Sequence, residues 1–126
     1  MFSIIIPTFN NLNYVKILLS SLKKNSTKDH EIIFHVNEGS DGTLDYLNKN
    51  NLKYTFSKAN VGLCTATNIA ASKSSSKYIL YSHDDMYFCP GWDTVLENEI
   101  KNLQTKAFYI SATMIEKNGG HIQLDC

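Results

Sequence analysis

The first apolar run, Ser3 to Ile6, is unbroken until Pro7 closes it, and a continuous run of this kind predicts a strand covered on both faces in a parallel sheet. Leu12, Val15, Leu18, Leu19 and Leu22 then recur at steps of three and four, placing one apolar stripe on a helix from about Asn11 to Lys24. Glu31 to Val36 repeats the strand signal. Gly39 to Gly42 turns the chain into a short helix over Thr43 to Asn50, with Leu44 and Leu47 on one side. Lys53 to Phe56 reads as a weaker third strand. After Asn60-Val61-Gly62, a helix from about Leu63 to Ser72 carries Ala66, Ala70 and Ala71, small enough to lie close to a sheet.

The serine-rich stretch Lys73 to Lys77 is a surface link, and Tyr78 to Ser82 is the fourth strand. A helix opened by Pro90 in its first turn is expected to reach about Leu103. Ala107 to Ile115 is β-branched and aromatic enough for a fifth strand, followed by a turn at Asn118-Gly119-Gly120. Strands alternating with helices predict an α/β fold: a doubly wound, mostly parallel sheet with flanking helices and right-handed crossovers. No internal repeat or linker divides the chain.

With the strand order reversing between the first and fourth strands, three polar clusters converge on one crevice at the strands' carboxyl ends. They are Thr8 with Asn10, Asn37 to Ser40, and His83 to Asp85. The last is the most informative, because an apolar strand delivers two adjacent carboxylates, Asp84 and Asp85. Neighbouring carboxylates repel unless positive charge lies between them, and a divalent cation carrying a diphosphate supplies it. His83 reads as a hydrogen-bonding neighbour of the pair rather than a ligand. Asn37-Glu38-Gly39-Ser40-Asp41-Gly42 offers a carboxylate at a strand end and glycines that permit close backbone approach, suited to a nucleobase N–H or ribose hydroxyls; as a plain turn, it would use Asp41 or Thr43 as a cap. The helix start after Gly62 can meet an anion through free amides, with Lys58 nearby. Trp92, Tyr87 and Phe88 read as packing residues.

Composition narrows the partners. Of 126 residues, 43% are hydrophobic and 19% charged, which fits one soluble globular domain. Twelve basic residues against twelve acidic ones leave no net charge, so nothing global selects a nucleic acid or an anionic membrane. Every basic residue is lysine. Without arginine, phosphate is gripped by lysine, backbone amides or metal rather than by a planar fork. Cys64, Cys89 and Cys126 are odd in number and scattered, which suggests free thiols in a reducing compartment. No stretch has the pattern of a signal peptide or the length of a membrane span, so the expected setting is cytoplasmic or the cytosolic face of a membrane. The glycine spacing fits neither the dinucleotide-binding fingerprint nor a P-loop, which argues against dehydrogenases and ATPases.

Four ordered segments carry a family resemblance over residues 3 to 93: Ser-Ile-Ile-Ile-Pro-Thr-Phe-Asn at 3 to 10, Val-Asn-Glu-Gly-Ser-Asp-Gly-Thr at 36 to 43, Asn60-Val61-Gly62 with Ala66-Thr67-Asn68, and His83-Asp84-Asp85. Together they resemble the nucleotide-binding half of a family 2 inverting glycosyltransferase with the A-type fold, a Rossmann-like nucleotide-diphospho-sugar transferase fold. The resemblance implies a nucleoside-diphosphate sugar as donor, a UDP-sugar first, with Mn2+ or Mg2+ as cofactor. It places Thr8, Asn10 and Glu38 in the nucleotide site, Asp84 on ribose or in the metal shell, Asp85 on the cation, and Asn68 in the floor under the diphosphate.

Three departures mark this chain: the acidic turn is one residue short, Thr67 stands where arginine is common, and His83 replaces the first aspartate of an acidic triplet. The resemblance also implies that residues 1–126 are the nucleotide-sugar-binding part of a domain incomplete at its carboxyl end, with the base beyond Cys126. Neither Glu116 nor Asp125 is assigned as base, and the acceptor is unspecified. The rival readings are a non-catalytic nucleotide-sugar-binding module and a sugar-1-phosphate nucleotidyltransferase. The latter is disfavoured because no glycine-rich basic loop follows the first strand.

Overall fold

The computed structural model describes residues 1–112. The elements run β1 (Phe2–Phe9), α1 (Leu12–Asn25), β2 (Glu31–Asn37), α2 (Thr43–Lys49), β3 (Lys53–Ser57), α3 (Leu63–Ala71), β4 (Tyr78–Tyr81) and α4 (Trp92–Asn102). All pairings are parallel and the sheet order is β3-β2-β1-β4. The chain therefore winds outward from β1 to β3 and then returns to the other side of β1. That reversal between β1 and β4 is the switch point at which open α/β sheets hold ligands.

Alternate β1 residues serve opposite faces. Phe2, Ile4 and Ile6 pack with Phe34, Val36, Val15, Leu18, Leu22 and Leu47, and Trp92, Leu96 and Ile100 of α4 lean on the same cluster. Ile5 and Ile33 face the other way, toward Ala70 of α3. Ala66 and Ala70 are fully buried, so the small side chains predicted to bring α3 close to the sheet do so. Each large apolar side chain buried in these clusters contributes about 1.5–3 kcal/mol.

At the amino end of the sheet, buried Asp93 accepts hydrogen bonds from the Thr27 amide (2.8 Å), the Thr27 hydroxyl (2.9 Å) and the Lys28 amide (3.1 Å), and its Oδ2 lies 3.0 Å from His30 Nε2. His30 Nδ1 accepts the Phe2 amide at 3.2 Å, so α4, β1 and the approach to β2 are tied through one imidazole. Glu31 makes a second knot, accepting from Ser3, from Lys53 Nζ (2.8 Å) and from the Ser75 amide (2.9 Å), and so fastens the serine-rich link under the sheet.

Three sequence expectations are corrected. Pro7 does not close β1, which continues to Phe9. The Ile5 carbonyl accepts the Ser82 amide at 3.0 Å, so the polar groups of residues 5 and 7 face the β4 side. At Pro7 that side lies beyond Tyr81, and no ladder bond is lost. Pro90 does not open α4. Gly91, with φ +74, precedes the helix, and the left-handed turn there lets the first helical residue be Trp92. The described part of the expected fifth strand, residues 107–112, is irregular: Phe108 stacks on Tyr78 at 5.7 Å, but no backbone ladder forms. Residues 113–115, the turn at Asn118 to Gly120, Glu116 and Asp125 lie outside the described residues. Among the described residues, no helix is long and apolar enough to cross a membrane.

Candidate functional site

The carboxyl end of β1 turns through two left-handed residues on neighbouring strands, Asn10 (φ +48) and Glu38 (φ +61), with Gly39 at +68. A β-carbon at Gly39 would stand 2.8 Å from both Leu44 and Val36, so only glycine lets the acidic turn pass over the core here. Asn10 Nδ2 donates to Glu38 Oε2 at 3.4 Å, and the Ser40 amide donates to Asn10 Oδ1 at 2.9 Å. The first two polar clusters are thereby one unit. Thr8 is buried beneath them, and its hydroxyl has no hydrogen-bond partner among the described residues. A buried, unmatched hydroxyl is costly unless a partner arrives.

Asp41 fastens both helices that start here. Its Oδ2 accepts the Leu12 amide at 2.7 Å, while Oδ1 accepts the Thr43 amide (3.0 Å) and hydroxyl (2.6 Å). Burial raises its pKa, but the hydrogen bonds from Thr43 and Leu12 outweigh that and hold it below the usual carboxylate range. A cavity of about 270 Å³, lined by Asn10, Asn11, Leu12, Asn13, Tyr14 and Asp41, opens beside it. A larger hollow of about 720 Å³, lined in part by Ile4, Leu22, His30 and Leu52, lies toward the amino end of the sheet, away from this chemistry.

The third cluster joins through Asn11, whose Nδ2 donates to Asp84 Oδ1 at 3.0 Å. Asp84 is half-buried, Asp85 is exposed, and among the described residues neither forms an ion pair. Tyr81 and His83 form a pair of their own, with the phenol oxygen 3.2 Å from His83 Nε2 and the rings edge-on at 5.2 Å. Burial raises the Tyr81 pKa first, and the negative charge of Asp84, Cys64 and Asp85 adds to it, so the phenol keeps its proton beside the acidic pair. On the far lip, Asn37 Oδ1 accepts the Val61 amide at 3.0 Å and pins the start of α3 to the tip of β2.

The donor set fits a hard divalent cation. Among the described residues no three His, Cys, Asp or Glu side chains gather into a metal cage; Asp84 and Asp85 are the carboxylates that would hold a cation here, with water or a ligand's phosphate oxygens in the other positions. Mg2+ and Mn2+ are commonly held this way.

Thr8, Asn10, Glu38, Asp84 and Asp85 all lie at the carboxyl ends of β1, β2 and β4. Asn68 does not join their hydrogen-bond network: it is exposed in the second half of α3. Asn11 and Asp41 are the residues that sequence reading missed as connectors. Asn11 read simply as the start of a helix, and Asp41 as a local cap. The available signal was the Asn10-Asn11 pair, two adjacent amides at a strand tip that can serve two neighbouring strands.

Residues 3–125 match the family model described as Glycosyl transferase family 2. An uncharacterized glycosyltransferase of Rickettsia bellii (strain RML369-C) is 30% identical over 121 residues, covering 91% of this chain. The chain spans 17% of that relative's length. Among solved structures, S. aureus TarS 1–349 superposes with a TM-score of 0.73 at 22% identity, over 92% of this chain and 40% of that one. The same TarS fragment in complex with UDP gives a TM-score of 0.66 at 26% identity, over 79% and 31%.

Proposed function

This chain belongs to glycosyl transferase family 2, and we propose that it is the donor-binding part of a glycosyltransferase, holding a nucleoside-diphosphate sugar through a divalent cation at Asp84 and Asp85. The single observation that carries this reading is the linkage of three strand tips at the switch point, Asn10 to Glu38 and Asn11 to Asp84. Those contacts bring Glu38 and Asp84 to one edge of the sheet, which supports reading Glu38 as the nucleobase side and Asp84 with Asp85 as the cation side of one site.

In this reading Glu38 accepts from the nucleobase or ribose, and the unmatched Thr8 hydroxyl finds its partner there. Asp84 contacts ribose or the metal shell, Asp85 binds Mn2+ or Mg2+, and Asn68 contributes to the floor under the diphosphate. The TarS structure with UDP supports a uridine nucleotide as the first to test. In the transfer, an acceptor hydroxyl gives up its proton to a base not assigned among the described residues and bonds to the anomeric carbon as the bond from that carbon to the diphosphate breaks, so that negative charge develops on the leaving group. A bound cation supplies electrostatic stabilisation of that charge. The carboxylates position it, and Asn11 fixes one of them. With no arginine in the chain, this arrangement takes a large share of the diphosphate grip. The exposed free thiols of Cys64 and Cys89 fit a reducing, cytosolic setting.

Calorimetric titration with UDP, with and without Mn2+, tests the reading. Binding that requires the metal supports it, and equal affinity without metal counts against the acidic pair.

A further inference from the structure

We propose that the hollow between α1 and α2 is a docking groove for an acidic amphipathic helix of a partner protein. It lies on the face of the sheet that these two helices cover, apart from the strand tips that carry the nucleotide reading.

Its walls and floor suit a helix. The hollow measures about 720 Å³, and on its floor Leu19, Ile32, Tyr46 and Leu52 are only half-buried. On one wall Lys16, Leu19, Ser20 and Lys23 of α1 follow at steps of three, one and three, so they share the side turned to the hollow. On the other wall stand Tyr46 and, one turn later at the end of α2, Asn50. An apolar floor between two helical walls is a setting in which a third helix lays its own apolar stripe.

Charge selects the kind of helix. Three lysines, Lys16, Lys23 and Lys28, line the hollow against one carboxylate, Asp29, and α1 itself contains no acidic residue. Lys28 pairs with Glu97 of α4, whereas Lys16 and Lys23 form no ion pair among the described residues. The Lys16 ammonium lies 5.4 Å over the Tyr46 ring, a contact that keeps its charge and holds it at the rim. Lys16 and Lys23 are two helical turns apart, about 10 Å along α1. Positions that flank the apolar stripe of a packed helix recur at the same interval, so one row of glutamates meets both lysines while the leucines beside it reach Leu19 and the floor.

The test measures fluorescence anisotropy of a labelled synthetic helix on the full chain. The helix carries leucine at its apolar heptad positions and glutamate at the flanking ones, and a counterpart carries lysine in place of glutamate. The glutamate helix is expected to bind the wild type at least about tenfold more tightly than the lysine helix, and Lys16→Glu with Lys23→Glu to reverse that preference. Ser20→Trp, which fills the hollow from an exposed position, is expected to weaken the glutamate helix by about tenfold or more. Equal binding of the two helices overturns the proposal, as does a preference that survives the double charge reversal or an affinity unmoved by Ser20→Trp. Sedimentation with phosphatidylglycerol vesicles that depends on Lys16 and Lys23, without binding of the glutamate helix, also overturns it and makes this face a membrane-contact surface.

Discussion

Asn11 and Asp84, 73 residues apart in sequence, meet in a 3.0 Å hydrogen bond that joins the tip of β1 to the turn after β4. The bond orients one carboxylate of the acidic pair and leaves its second oxygen for a ligand. A hydrogen bond to a charged group is worth about 1.5–3 kcal/mol, and partial exposure puts this one at the low end. Asn11→Ala is therefore expected to weaken Mn2+-dependent UDP binding by about tenfold and to lower the thermal midpoint by a few degrees. Calorimetry paired with thermal denaturation checks both halves. An unchanged affinity would remove Asn11 from the site.

Glu38 sits at φ +61, a conformation that disfavours every residue with a β-carbon. Glu38→Gly relieves that strain and removes the carboxylate. Stability is expected to rise by up to about 1 kcal/mol, while nucleotide affinity falls by about tenfold or more. Denaturant unfolding and UDP titration of the one variant show whether the two quantities move in opposite directions. A loss of stability would mean that the carboxylate serves the fold.

Acid stability is set at the other end of the sheet. Burial pushes the Asp93 carboxyl up, but hydrogen bonds from His30, Thr27 and Lys28 outweigh this and lower it from 3.8 to about 2. Lys53, then Ser3 and Ser75, lower Glu31 from 4.5 to about 2. Both are depressed acids, so their contribution is complete above the unfolded values and is lost as pH falls through the folded ones. Thermal midpoints should hold down to about pH 5 and then drop toward about pH 2. Asp93→Asn leaves His30 without its charged partner and is expected to cost about 3 kcal/mol at neutral pH while flattening the acid slope. A variant with the wild-type slope would assign acid sensitivity elsewhere.

Much of the fold was legible because apolar periodicity reports burial directly. The unbroken Ile4-Ile5-Ile6 run could only be a strand covered on both faces, and the Leu12 to Leu22 stripe could only face one side. What local pattern could not carry was partnership. Pro7 is harmless because β4 ends before reaching it, and residues 107–112 have strand composition yet form no ladder among the described residues. Gly91 rather than Pro90 governs the entry to α4 because a left-handed turn is needed there. The site shows the same division. Thr8 near the end of β1, and Asn10, Glu38, Asp84 and Asp85 just past strand ends, could be placed at the carboxyl edge of the sheet from position alone. Asn11 acts through a contact 73 residues away, and the pairing of His83 with Tyr81 depends on side-chain direction at the end of β4.

In the proposed function, Asp84 and Asp85 hold a cation and, through it, a sugar donor's diphosphate. Its most direct test is titration of wild type and Asp85→Ala with UDP, each with Mn2+ and with chelator. The wild type is expected to bind only with metal, and Asp85→Ala to lose at least about tenfold in affinity together with its metal dependence. UDP binding that is indifferent to Mn2+, or an Asp85→Ala variant that binds like the wild type, would contradict it.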